Sequence, residues 1–263
     1  KENNYNLTVV GLPKTVDNDV FPITQTLGAW TAAQQGAIFF ENIANENTTS
    51  TRQLIIHEVM GRNCGWLTAR TAYDYRERMK QRNFIPELLI NQEKWDIDAV
   101  YIPETDFDFN IECERLIKRM DEKDGVNIFL SEGAGLETIV REMESNGEEV
   151  PRDAFGHVRL DEINPGQWFA NQFANALGAE KTLVQKSGYF ARSAKPNEKD
   201  LDLIMQSAFF GAEKAISGES GVAGLDDHHG QALRIIEFER IKGGKPFDPK
   251  VDWYQSMLKE LKQ

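Results

Sequence analysis

Apolar and polar positions alternate along this chain in two different periods. Leu7-Thr8-Val9-Val10 is a short apolar run that ends at Gly11 and predicts a buried strand. From Thr26 to Asn45, Ala, Gln and aromatic residues recur with a helical period. Leu54 to Val59 predicts the next strand, residues 66–82 a helix with Arg, Glu and Lys outward, and Ala99 to Ile102 a third strand. Cys113, Leu116, Ile117 and Met120 fall at i, i+3, i+4 and i+7, one stripe of an amphipathic helix that stops near Gly125. Val126 to Leu130 predicts a fourth strand, and Leu136, Ile139, Val140 and Met143 repeat the helical stripe. Asn164-Pro165 reads as N-cap and first helical residue, with Phe169, Phe173, Ala176 and Leu177 as the apolar face and Gly178 as C-cap. Thr182 to Val184 predicts a strand, Leu201 to Ala208 a helix, Leu233 to Ile236 a late strand and residues 251–262 a terminal helix. Gly218 to Gly230 and Gly243 to Pro246 read as short loops.

Strands alternating with helices imply right-handed crossovers and a largely parallel sheet, an α/β fold. The 263 residues suit one large or two ordinary domains at about 150 residues each. With 40% apolar and 27% charged residues, a packed core is expected. Thirty Lys and Arg against 42 Asp and Glu give a net charge of -12. That argues against a nucleic-acid binder and against a surface for anionic lipid. An anionic small molecule is still compatible, because a few placed cations suffice. Cys64 and Cys113 form no disulfide framework, and no apolar run has the length of a membrane span. Lys1 to Asn6 has no apolar signal core. A cytoplasmic location is the expectation.

In open α/β sheets, ligands bind beyond the carboxyl ends of the strands. Here those ends lead into Lys14-Thr15-Val16-Asp17-Asn18-Asp19, Met60-Gly61-Arg62, Pro103-Glu104, Ser131-Glu132-Gly133 and Lys186 to Arg192. One edge would gather Lys14, Asp17, Asp19, Arg62, Glu104, Glu132, Lys186, Tyr189 and Arg192. Lys14, Arg62 and Arg192 suit phosphate groups, and Asp17 and Glu132 suit hydroxyls as proton acceptors. The combination fits a phosphorylated, hydroxyl-bearing substrate. Taken singly, each motif also has a bland reading. Thr15 to Asp19 alone is a polar turn, His57 a satisfied core histidine, and Asp226-Asp227-His228-His229 a solvated turn rather than a metal cluster. Their joint occurrence after strands favours the site.

Four strings raise the reading further: Gly11-Leu12-Pro13-Lys14-Thr15-Val16-Asp17-Asn18-Asp19, Glu58-Val59-Met60-Gly61-Arg62, Ser131-Glu132-Gly133 and Tyr189-Phe190-Ala191-Arg192. With them the sequence resembles the phosphofructokinase family, in particular its diphosphate-dependent branch, down to Lys242-Gly243-Gly244-Lys245-Pro246-Phe247-Asp248. The resemblance implies a two-domain α/β fold with largely parallel sheets flanked by helices. It implies reversible phosphoryl transfer from diphosphate to fructose 6-phosphate with Mg²⁺. Asp17 would be the base on the sugar 1-hydroxyl, and Thr15 and Val16 would line its turn. Met60, Gly61 and Arg62 would contact substrate, Glu132 the sugar hydroxyls, and Tyr189 and Arg192 the sugar phosphate. Asp19 would orient the metal through water. Lys14, where ATP-using relatives usually have glycine, would select diphosphate. A homo-oligomer, dimer or tetramer, is also implied.

The family's N-terminal Gly-Gly-Asp-Asp loop does not occur in these residues, so an N-terminally truncated enzyme is expected. The expected division gives 1–25 and 181–230 to the donor domain and 26–180 and 231–263 to the sugar-phosphate domain. The competing readings are an ATP-dependent phosphofructokinase and a non-catalytic subunit.

Overall fold

The computed structural model describes residues 7–154 and 156–263; Lys1 to Asn6, the start of the expected donor segment, and Phe155 lie outside the described residues. In chain order the elements are β1 (Val10–Gly11), α1 (Ala29–Ile43), β2 (Gln53–Val59), α2 (Trp66–Met79), α3 (Gln92–Trp95), β3 (Ala99–Tyr101) and α4 (Phe109–Lys123). There follow β4 (Gly125–Ser131), α5 (Leu136–Ser145), α6 (Leu160–Ile163), α7 (Pro165–Leu177), β5 (Lys181–Lys186), α8 (Gly188–Ser193) and α9 (Glu198–Ile216). β6 (Gly221–Asp226), β7 (Ala232–Ile236) and α10 (Asp252–Leu261) complete the set.

Four strands in the order β3-β4-β2-β5 form an all-parallel sheet. Every residue of β2 and β4 is buried, which is why both read as nearly continuous apolar runs. Alternation divides them between two cores. Ile55 and Val59 face the α1 and α2 side with Ala33, Phe40, Leu67 and Tyr75. Leu54 and Ile56 face the α4 and α7 side with Leu116, Met120, Phe169 and Phe173. The helix α4 starts at Asp108, whose carboxylate accepts from the Asn110 and Ile111 amides, and turns out at Asp124 (φ 61°) one residue before Gly125.

The second sheet has the order β1-β6-β7, with β1 parallel and β7 antiparallel to β6. Two expectations are corrected here. The run from Leu7 to Val10 is no buried strand: only Val10 and Gly11 pair, and Leu7 is 67% and Val9 46% exposed. Among the described residues β1 has a sheet neighbour on one side only. Residues 218–230 are not a loop, because they contain β6, the middle strand of this sheet. Asn164 and Pro165 are the N-cap and first residue of α7 as expected, but the Asn164 side chain caps no helix amide; the residue sits at φ 48° and its Oδ1 accepts from Lys186 Nζ. Strand pairing crosses the positions 180/181 and 230/231. Lys181–Lys186 pairs with β2 in the larger sheet, and Ala232–Ile236 returns as a hairpin onto β6 in the smaller one.

Candidate active site

The turn that follows β1 is built around Asn18. Its left-handed backbone (φ 57°) turns the chain, and its Oδ1 accepts from the Thr26 amide at 2.8 Å while Nδ2 donates to the Thr24 carbonyl. The Thr26 hydroxyl donates to the Thr15 carbonyl, and the Leu27 amide to the Pro13 carbonyl, so the turn is stitched to the entry of α1. Thr15 Oγ1 accepts from the Asp17 amide and donates to Asp19 Oδ1. Val16 is buried in the core below. These bonds fix the backbone and leave the Asp17 carboxylate uncommitted: its Oδ1 is buried and has no hydrogen-bond partner among the described residues. Burial, and then the adjacent Asp19 charge, push its carboxyl above the usual range, while Arg192 pulls it partly back.

A second wall comes from the ends of β2 and β4. Gly61 has φ 129°, and a Cβ there would collide with the Cys64 carbonyl. A Cβ on Gly133 would meet the Arg62 carbonyl, so the two turns touch backbone to backbone. Ser131 Oγ donates to the Gly61 carbonyl at 2.6 Å, the Glu132 amide to the Val59 carbonyl, and the Gly61 amide to Glu132 Oε1 at 3.3 Å. Burial raises the Glu132 carboxyl; the charges of Asp17 and Glu58 add to this, and the Gly61 amide and Arg62 oppose it. Met60 is buried beneath, against Gly188 at the start of α8. Burial drives the nearby Cys64 thiol up to about 12, which removes it as a nucleophile.

The structure thus brings Asp17, Asp19, Arg62, Glu132 and Arg192 within electrostatic reach of one another. Lys14 is exposed on the flank of the same turn. Tyr189 is 90% exposed on α8. Two residues collected by the strand-end rule are committed elsewhere. Glu104 accepts from the Gly65 and Phe247 amides and ties the loop after Arg62 to the C-terminal segment. Lys186 is paired to Glu58 at 2.9 Å. Lys245 is a residue that sequence reasoning did not single out: its amide donates to the Asp19 carbonyl, and its ammonium to the Ile23 carbonyl and Asp227.

Among the described residues, no three His, Cys, Asp or Glu side chains converge as a metal set. The stretch from Asp226 to His229 is not simply a solvated turn. Asp226 is fully buried and takes both Arg240 nitrogens, the His228 amide and His229 Nδ1. Burial would raise its carboxyl, but these donors together hold it at about 2. His57 is a core residue stacked on Phe40 with centroids 5.4 Å apart, but neither ring nitrogen has a hydrogen-bond partner among the described residues.

The phosphofructokinase family profile matches residues 1–213. The pyrophosphate–fructose 6-phosphate 1-phosphotransferase of Methylomonas methanica is 58% identical over 99% of this chain and 64% of its own length. The protein of the same name from Mastigamoeba balamuthi is 51% identical over 100% of this chain and 64% of its own. The chain therefore spans about 64% of the length of these curated relatives. Among solved structures, a pyrophosphate-dependent phosphofructokinase from Marinobacter aquaeolei superposes with a TM-score of 0.62 at 20% identity, over 99% of this chain and 61% of that one.

Proposed function

Because the chain belongs to the phosphofructokinase family, we propose that it carries most of the sugar-phosphate site of a phosphotransferase that moves a phosphoryl group reversibly from diphosphate to the 1-hydroxyl of fructose 6-phosphate. The observation that carries this reading is Asp17, a carboxylate held on a rigid turn with one oxygen buried and unpartnered. Its raised basicity suits a general base, whose efficiency grows as its pKa approaches the working pH. In the forward step the sugar 1-oxygen forms a bond to the terminal phosphorus of diphosphate. The bridging P–O bond breaks, phosphate leaves, and the hydroxyl proton passes to Asp17. Phosphoryl transfer asks for little more than position and charge. Glu132 accepts from sugar hydroxyls, Arg62 and Arg192 face phosphate, and Lys14 offsets charge on diphosphate.

Mg²⁺, as the family implies, fits this donor set. Such an ion takes one or two carboxylates together with substrate phosphates and waters, so a three-residue cage is not required. Asp19 would orient it through water, and it would neutralise diphosphate charge. The larger sheet serves the sugar phosphate and the smaller one, with α9, the donor. Exposed Tyr189 fits contact with sugar or with a second copy in a homo-oligomer. ATP is disfavoured because Lys14 fills space that a nucleotide α-phosphate needs.

Isothermal calorimetry tests the reading. Fructose 6-phosphate should bind this chain, because Asp17, Arg62, Glu132 and Arg192 are all present. Measurable binding of diphosphate with none of fructose 6-phosphate would overturn it.

A further inference from the structure

We propose that Glu58, which touches no substrate in the reading above, is the positioning residue of this site: its carboxylate clamps together three chain segments at the carboxyl edge of the larger sheet. The inference rests on the proposed sugar-phosphate site. Glu58 is buried at the carboxyl end of β2, 6% exposed. It lies opposite Lys186 in the register of β2 and β5, and Oε1 pairs with Lys186 Nζ at 2.9 Å. Its other oxygen accepts from the Gly166 amide at 2.8 Å, in the first turn of α7. Lys186 Nζ also donates to Asn164 Oδ1 at 2.8 Å.

Three segments are therefore joined at one carboxylate. One is β2, which runs on into Met60-Gly61-Arg62. Another is β5, which runs on into Ser187 and Arg192, with the Ser187 amide donating to the Glu58 carbonyl at 3.4 Å. The third is the start of α7. The fit is close, because a Cβ on Gly166 would collide with the carboxylate. A buried carboxylate costs desolvation unless it is paired and hydrogen-bonded, and here both oxygens are satisfied. Glu58 also acts at a distance. With Asp17 and opposed by Arg62, its charge raises the Glu132 carboxyl. Removing it changes both the placement of the loops and the proton affinity of a sugar-facing group.

Glu58→Gln keeps the size and an acceptor for Gly166 but not the charge. Hydrogen exchange on the free protein should rise at residues 60–62, 166 and 187–192 and stay unchanged in α4 and β4. Fructose 6-phosphate affinity should fall on the order of tenfold. The pH at which that affinity is lost on acidification should move lower, because Glu132 loses a negative neighbour. Loosening alone of the Gly61 amide, whose hydrogen bond lowers the Glu132 carboxyl, would move the midpoint the other way. Should Glu58→Gln fail to fold, Asn164→Gly, which suits the left-handed backbone there, should raise exchange in the same segments more weakly. Unchanged exchange at 60–62 and 187–192 in the variant that folds overturns the inference. If fructose 6-phosphate does not bind the parent chain, the proposed function fails and the exchange pattern alone decides this one.

Discussion

Asp17 and Lys14 lie three positions apart in one turn, and their environments give them opposite tasks. The Asp17 carboxylate is pressed toward its neutral form by burial and by Asp19, so it holds a proton more tightly than an exposed carboxylate. Asp17→Asn, in a protein of the relatives' length carrying this sequence, should lower turnover on the order of 10²–10⁴-fold with the fold unchanged. Near-normal turnover would leave Asp17 a turn residue only. Lys14 is exposed and unburdened by the turn's own bonding, free to meet a donor phosphate. Lys14→Gly should cut the diphosphate rate sharply and raise ATP use only modestly, read with both donors at fixed fructose 6-phosphate and Mg²⁺. An unchanged diphosphate rate would reopen the ATP reading. At this scale the sequence was informative where position after a strand implies convergence, as for Asp17, Arg62, Glu132 and Arg192. It misled for Glu104 and Lys186, which stand at the same edge but spend their charges on Gly65, Phe247 and Glu58. Residue type and position cannot report such partners, because they come from segments distant in the chain.

The elements most legible in the sequence are those with a clean period. The stripe of Cys113, Leu116, Ile117 and Met120 became α4, and the buried run at 54–59 became the centre of β2. β6 was hidden by its composition. Gly221 and Gly224 read as loop, yet added side chains would strike Ile235 and Ile23, so small residues are what lets the strand lie close to its neighbours. The same logic governs the contact between the ends of β2 and β4. Gly133 has no room for a Cβ against the Arg62 carbonyl, a backbone atom that cannot swing aside. Gly133→Ala should therefore displace the Met60–Arg62 turn, weakening fructose 6-phosphate binding in calorimetry at least tenfold and lowering the melting temperature by several degrees, as a loss of 1–3 kcal/mol does in a domain of about this size. Binding and melting equal to the parent would show that the turns are not locked together.

For the whole molecule, the chain passes between the two sheets at points the sequence does not mark: Lys181–Lys186 joins the larger sheet and Ala232–Ile236 the smaller. Strand pairing is a property of non-adjacent segments, and the linkers at 180 and 230 carry no mark of which sheet receives the next strand. Global stability carries the signature of His57. Full burial in the aromatic cluster of Phe39, Phe40 and Phe129 lowers its pKa from 6.5 to about 3. The folded state thus prefers the neutral ring. That preference is complete above pH 6.5 and is lost progressively as pH falls below it, by about 2 kcal/mol at pH 5. The raised carboxyls of Asp17, Glu132 and Asp98 act in the opposite sense, so the informative quantity is the difference between the protein and His57→Leu. Denaturant melts at pH 7 and pH 5 should show the variant losing less stability than the parent; equal losses would mean that the ring is hydrated or paired. The smaller sheet, finally, has a consequence for the order of assembly. β1 finds its partner 211 residues away, where the Val9 amide meets Ser220, and the turn bearing Asp17 is fastened by the Lys245 amide. The larger sheet needs only a continuous stretch ending at Lys186. Contacts of such separation close late, because loop entropy must be overcome before they stabilise anything. On the ribosome the larger sheet can be complete while the Asp17 turn still hangs on an unpaired strand, waiting for Gly221 and Lys245 to emerge.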